Sequence, residues 1–173
     1  MSYPGNSGPE GVTGPSPVDL AEFTLVESEL DQRWGETTIE PSLTRISALM
    51  DLLGSPQASY PSIHVAGTNG KTSVTRMIES LLRAFHRRTG RTTSPHLQLA
   101  TERIAVDGVP LTPRQYVDTY RDILPYVEMI DAQSEAAGGP RMSKFEVVTA
   151  MAFAAFAEAP VDVAVVEVGL GGR

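Results

Sequence analysis

Between Ser62 and Ser73 the chain reads Ser-Ile-His-Val-Ala-Gly-Thr-Asn-Gly-Lys-Thr-Ser. A short β-branched run, a glycine loop and a helical continuation are the parts that holding a polyphosphate requires. Gly67 and Gly70 allow backbone conformations and close approaches that a side chain blocks. The first turn of the following helix offers unpaired N–H groups and the positive end of its dipole. Lys71 adds a mobile charge for the β- and γ-phosphates and is the candidate catalytic residue, while Thr72 and Ser73 can reach a phosphate or Mg²⁺. The candidate ATP site is therefore Gly67, Thr68, Asn69, Gly70, Lys71, Thr72 and Ser73. Val65 stands where the general phosphate-loop pattern carries an earlier glycine.

Two other stretches hold oxygen donors. Glu167 lies in the run from Val161 to Val168, and a charge in such an apolar strand needs a partner. Ser94 opens Ser94-Pro95-His96-Leu97 just after a second strand expected at Arg91 to Ser94. His64, on the strand before the loop, reads as a packed core residue.

The elements that position these groups alternate. Val18 to Arg33 has mostly helical apolar spacing, and Ser42 caps a helix striped by Leu43, Ile46, Leu49, Met50 and Leu53. After the loop, Val74, Met77, Ile78, Leu81, Leu82 and Phe85 form a stripe expected to pack on the sheet. Asp107-Gly108 supplies a hairpin turn after the strand at Ile104. Thr112 caps a helix from Pro113 that kinks or breaks at Pro125. Ser143 opens another helix, apolar nearly all round, and Val161 to Val168 reads as a central parallel strand.

This pattern predicts an α/β fold: a mostly parallel sheet with a phosphate loop and helices on both faces. Ligands bind such sheets at the carboxyl ends of strands. The loops at Gly67–Ser73, Ser94–Leu97 and Glu167–Arg173 are thus expected around one crevice. Residues 1–17 are Gly, Pro and Ser with almost nothing apolar and read as a disordered tail, leaving 18–173 as one ATP-binding domain.

The 173 residues carry a net charge of −7, which argues against nucleic acid as a partner. There is no cysteine, so neither disulfide nor thiolate chemistry is available, as suits a cytoplasmic protein. No run approaches the ~18 apolar residues of a membrane span, and no basic start followed by an apolar stretch marks a signal peptide.

Five short motifs then occur in a specific order: Gly67-Thr-Asn-Gly-Lys71, Ser94-Pro-His-Leu97, Glu102-Arg-Ile104, Phe145-Glu146 and Glu167-Val-Gly-Leu-Gly-Gly-Arg173. In that order they resemble the folylpolyglutamate synthase/dihydrofolate synthase family, over roughly Leu25 to Arg173. Mur peptidoglycan ligases share the phosphate loop but lack the Ser-Pro-His-Leu segment. Thr72 departs from the resemblance: folate enzymes often carry Gly there and Mur ligases Thr.

The resemblance implies an ATP- and Mg²⁺-dependent ligase that adds glutamate to dihydropteroate or folates through an acyl phosphate. It implies Ser94 and Glu167 as Mg²⁺ ligands. It implies Ile39, Glu40, Pro41, Ser143, Lys144, Phe145, Glu146 and Arg173 at the pteroate end of the substrate. Its partners are small molecules, acting on a monomer with no nucleic acid and no membrane. The family has a further metal-ligand His and a C-terminal domain beyond these motifs, so the chain alone is expected to be inactive. A Mur-type amino-acid ligase and a non-catalytic nucleotide-binding module are the competing readings.

Overall fold

The computed structural model describes residues 14–34, 42–96 and 98–169. The tail through residue 13, the segment 35–41, Leu97 and residues 170–173 lie outside them, and with them the expectations for Ile39, Glu40, Pro41 and Arg173.

A five-stranded sheet organises the chain. Its strands are β1 (Ser62–Val65), β2 (Thr89–Thr92), β3 (Ile104–Val106), β4 (Val109–Pro110) and β5 (Val163–Glu167), in the order β1-β5-β2-β3-β4. β5 runs parallel to both β1 and β2, while β3 and β4 add an antiparallel hairpin at one side. Asp107 and Gly108 turn that hairpin, both with positive φ, 50° and 78°. That is the geometry an Asp-Gly pair is suited to.

The helices are α1 (Pro17–Asp31), α2 (Thr44–Leu52), α3 (Lys71–Ala84), α4 (Pro113–Ala136) and α5 (Lys144–Glu158). Three start on the reciprocal cap in which a Ser or Thr oxygen accepts the third residue's N–H: Ser16 for α1, Thr112 for α4 and Ser143 for α5. Ser16 and Pro17 therefore belong to the helix rather than to the tail. Ser42 lies two residues before α2, where its Oγ accepts from Thr44 N. α4 continues through Pro125 instead of breaking. Its face of Tyr116, Tyr120, Ile123, Val127 and Ile130 is buried against neighbouring helices, and each such side chain contributes roughly 1.5–3 kcal/mol.

Adjacent residues on β2 show how the sheet is covered. A Cβ on Gly90 would lie 2.6 Å from the Phe156 ring of α5, whereas Arg91 reaches Glu79 of α3. Successive strand residues point to opposite faces, so α5 and α3 sandwich the sheet. All five residues of β5 are buried as a result, as its β-branched composition implies.

Two expectations fail on this geometry. β1 is an edge strand, so Ser62, Ile63 and His64 are exposed and only Val65 is buried. In α3 the sheet side carries Thr75 and Glu79, both buried, because Glu79 is needed by Arg91 and Thr89. The apolar row Val74, Met77, Leu81 and Phe85 faces outward, Phe85 being 75% exposed.

Three tyrosines in the helical layers have hydroxyl pKa values raised by burial: Tyr60, Tyr116 and Tyr120. Tyr60 Oη donates to Phe153 O at 3.0 Å and Tyr116 Oη to Glu27 at 2.8 Å. A folded-state pKa above the unfolded value gives stability that is full below the unfolded pKa, about 10, and lost as pH rises toward the folded one. We expect unfolding above about pH 10, with tyrosinate absorbance near 295 nm rising together with loss of helical circular dichroism. Tyrosinate absorbance that develops fully while the helical signal persists contradicts it.

Candidate functional site

The parallel pairing brings three strand ends to one edge. Val65 of β1 is opposite Glu167 of β5, and Thr92 of β2 is opposite Val166. The phosphate loop, Ser94 and the loop after β5 all leave the sheet there.

The loop has the predicted backbone. Gly67 has φ 145° and Gly70 φ 74°, and Gly70 caps α3 without any side-chain hydrogen bond. Val74 N makes the first helical bond, to Gly70 O at 2.9 Å. The N–H groups of Lys71, Thr72 and Ser73 thus point out of the helix end. Among the described residues, a Cβ at either glycine would meet no atom within 4 Å, so what glycine supplies there is backbone freedom and open space in front of the N–H groups. Thr68, Asn69 and Ser73 are exposed. Lys71 Nζ donates to Gly67 O at 2.9 Å, which holds the ammonium across the loop.

Thr72 joins this loop to the sheet: its Oγ1 donates to Glu167 Oε2 at 2.8 Å. Glu167 is 6% exposed, and among the described residues Thr72 is the hydrogen-bond partner of its carboxylate. Glu167 and Ser94 both line a cavity of about 780 Å³. Thr72 and Ser94 hydroxyls with one carboxylate are hard oxygen donors, a set that fits Mg²⁺, which takes one or two carboxylates and completes its shell with water and phosphate oxygens. Among the described residues there is no cluster of three or more His, Cys, Asp or Glu that could hold a metal alone.

The same cavity is lined by Glu167, Phe145, Trp34, Leu43 and the α2 side chains Ile46 and Met50. Its lining mixes polar groups with the aromatic rings of Trp34 and Phe145, as a site for a ligand with a planar head would. Phe145 stands in the first turn of α5, placed by the Ser143 cap. Glu146 lines the cavity too, but its carboxylate is committed: it accepts from Ser143 N at 2.7 Å, Ser143 Oγ at 2.9 Å and Arg45 Nε at 3.2 Å. Ser143 and Glu146 therefore build the wall. Lys144 is not at the cavity; it turns to α1, bonding Glu27 at 3.1 Å and Asp31 at 2.6 Å.

Sequence reasoning missed Arg45, which braces Glu146 and lies 5.5 Å from the Trp34 ring centroid, a cation–π distance. It also put His64 in the core, whereas His64 is exposed and lines the cavity from the edge strand. Arg103 lines it as well, donating from Nε to His96 Nδ1 at 3.1 Å. A basic residue within the apolar stripe of α2 is the one signal that could have marked Arg45.

No family model matches the sequence. The chain is 69% identical over 97% of its length to dihydrofolate synthase/folylpolyglutamate synthase from Mycobacterium tuberculosis, of which it covers 36%. It superposes with a TM-score of 0.85 on Mycobacterium tuberculosis folylpolyglutamate synthase complexed with ADP, at 70% identity over 90% of this chain and 34% of that one. A bifunctional folylpolyglutamate synthase/dihydrofolate synthase with Mn, AMPPNP and L-glutamate bound gives a TM-score of 0.72 at 28% identity, over 87% of this chain and 34% of that one. The chain thus spans about a third of the length of these relatives. Sequence and fold together place it in the folylpolyglutamate synthase/dihydrofolate synthase family.

Proposed function

We propose that this chain forms the nucleotide- and pteroate-binding part of an ATP-dependent ligase that joins glutamate to dihydropteroate or folates. The observation that carries the reading is the Thr72–Glu167 hydrogen bond of 2.8 Å, which ties the phosphate loop to a buried carboxylate lining a cavity that also holds Phe145 and Trp34. Relatives that hold ADP, or AMPPNP with Mn and L-glutamate, support it.

In this reading the triphosphate lies along the N–H groups of residues 71–73, with Lys71 neutralising its terminal oxygens. Glu167, Ser94 and Thr72 would hold the divalent cation, which would supply charge neutralisation of the phosphate oxygens. The substrate carboxylate, directed outward from a ring seated near Phe145, attacks the γ-phosphorus, and ADP leaves. The glutamate amine then attacks the acyl carbon, loses a proton and expels phosphate as the amide forms. Such transfer needs positioning and charge stabilisation more than an acid/base pair. The protein acts in the cytoplasm as a monomer on small molecules.

The test uses a chimera in which residues 1–173 replace the matching third of the Mycobacterium tuberculosis relative. ATP hydrolysis should require dihydropteroate or tetrahydrofolate together with glutamate. UDP-muramyl substrates that drive phosphate release instead would overturn the reading in favour of a Mur-type ligase. In isothermal titration of this chain, Lys71→Ala should weaken Mg-ATP about 10–100-fold, the value of one charge-assisted contact. Nucleotide binding indifferent to Lys71 contradicts the loop's role.

A further inference from the structure

Gly169 has no conformational need to be glycine, since its φ lies outside the left-handed region. It has a steric one. A Cβ there would stand 2.8 Å from Cε2 and 2.9 Å from Cζ of Phe145, closer than real Cβ contacts. The ring is not the free end of a flexible chain: Phe145 sits in the capped first turn of α5, whose body is buried under the sheet. The backbone on which the ring lies is the loop that leaves β5 two residues after Glu167, and Val168 N anchors it to Val65 O at 3.0 Å. The cavity's aromatic wall and its buried carboxylate thus share one short stretch of backbone.

We propose that Gly169 is a positioning residue: its bare backbone seats the Phe145 ring, and through that contact it couples occupancy of the cavity beside Phe145 to the placement of Glu167. The ligand chemistry is a planar heteroaromatic ring stacked on Phe145, and this rests on the function proposed above. Coupling of this kind is reciprocal: a ring ligand that holds Phe145 in place also holds the loop that presents Glu167.

The chain's single tryptophan, Trp34, lines the same cavity and reports on it. Pteroic acid is titrated into this chain while Trp34 fluorescence is followed, with and without Mg-ATP. Gly169→Ala should weaken pteroic acid at least tenfold and erase the effect of one ligand on the other. In a Phe145→Leu background, adding Gly169→Ala should change nothing further, because the ring it strikes is gone. An equal loss in both backgrounds, or no loss in either, overturns the proposal. Thermal unfolding of the same four proteins gives an independent reading of the contact. If Gly169→Ala unfolds the protein while the double variant stays folded, the contact stands; if both unfold, it falls. A wild-type chain that ignores pteroic acid defeats the functional reading, while the unfolding cycle still decides whether Gly169 seats the ring.

Discussion

Glu167→Gln should yield a protein that resists heat better than the wild type and binds Mg-nucleotide far less well. The carboxylate is 6% exposed, and Thr72 Oγ1 is its hydrogen-bond partner among the described residues. A buried charge with a single neutral donor is unfavourable unless something else compensates. Glutamine keeps the shape and an acceptor for Thr72 while removing the charge. The thermal midpoint without ligand should rise by about 2–4 °C, equivalent to about 1 kcal/mol in a chain of this size. A cation held by oxygen donors loses its anionic one, so the Mg²⁺-dependent gain in nucleotide affinity should fall by two orders of magnitude or more. In the chimera with the relative, turnover should fall at least as far. The opposite signs separate a site residue from a structural one. A Glu167→Gln protein that melts lower and keeps its Mg²⁺ response would show the carboxylate to be a packing element and remove the basis of the proposed function.

Much of this site could be read in advance because its parts are local. A strand, two glycines and a helix start lie within twelve residues, and Gly70 takes its left-handed φ where the loop was expected to need it. The caps at Thr112 and Ser143 were equally local, since a hydroxyl and the third residue's N–H meet within one turn. What misled was position across the sheet. His64 follows a β-branched residue and precedes another, yet strand order puts it on an edge, and order depends on pairing with β5 a hundred residues later. The stripe of α3 gave the helix but not its rotation. Val74, Met77, Leu81 and Phe85 face away because a buried ion pair outweighs them on the sheet side. The cap that placed Phe145 also turned Lys144 to α1, where Glu27 and Asp31 take it.

That ion pair should carry a large stability effect. Arg91 Nε donates to Glu79 Oε2 at 2.6 Å, and both side chains are 6% exposed. Thr89 Oγ1 adds only a long contact to the same carboxylate, 3.4 Å. Arg91→Leu leaves Glu79 buried without a cation, which costs about 3–5 kcal/mol when one member of a buried pair is removed. The double change Glu79→Leu with Arg91→Leu removes both charges and should recover most of that loss, as apolar replacements of buried pairs often do. Urea unfolding of the single and double variants measures the difference. The pair also sets how α3 lies on β2, and α3 begins with Lys71 and Thr72. The double variant should therefore be stable yet bind Mg-ATP more weakly than wild type, because a leucine pair fixes no direction along the helix axis. A single variant as stable as wild type would mean that Glu79 needs no cation. A double variant with wild-type nucleotide affinity would mean that packing alone aligns the loop.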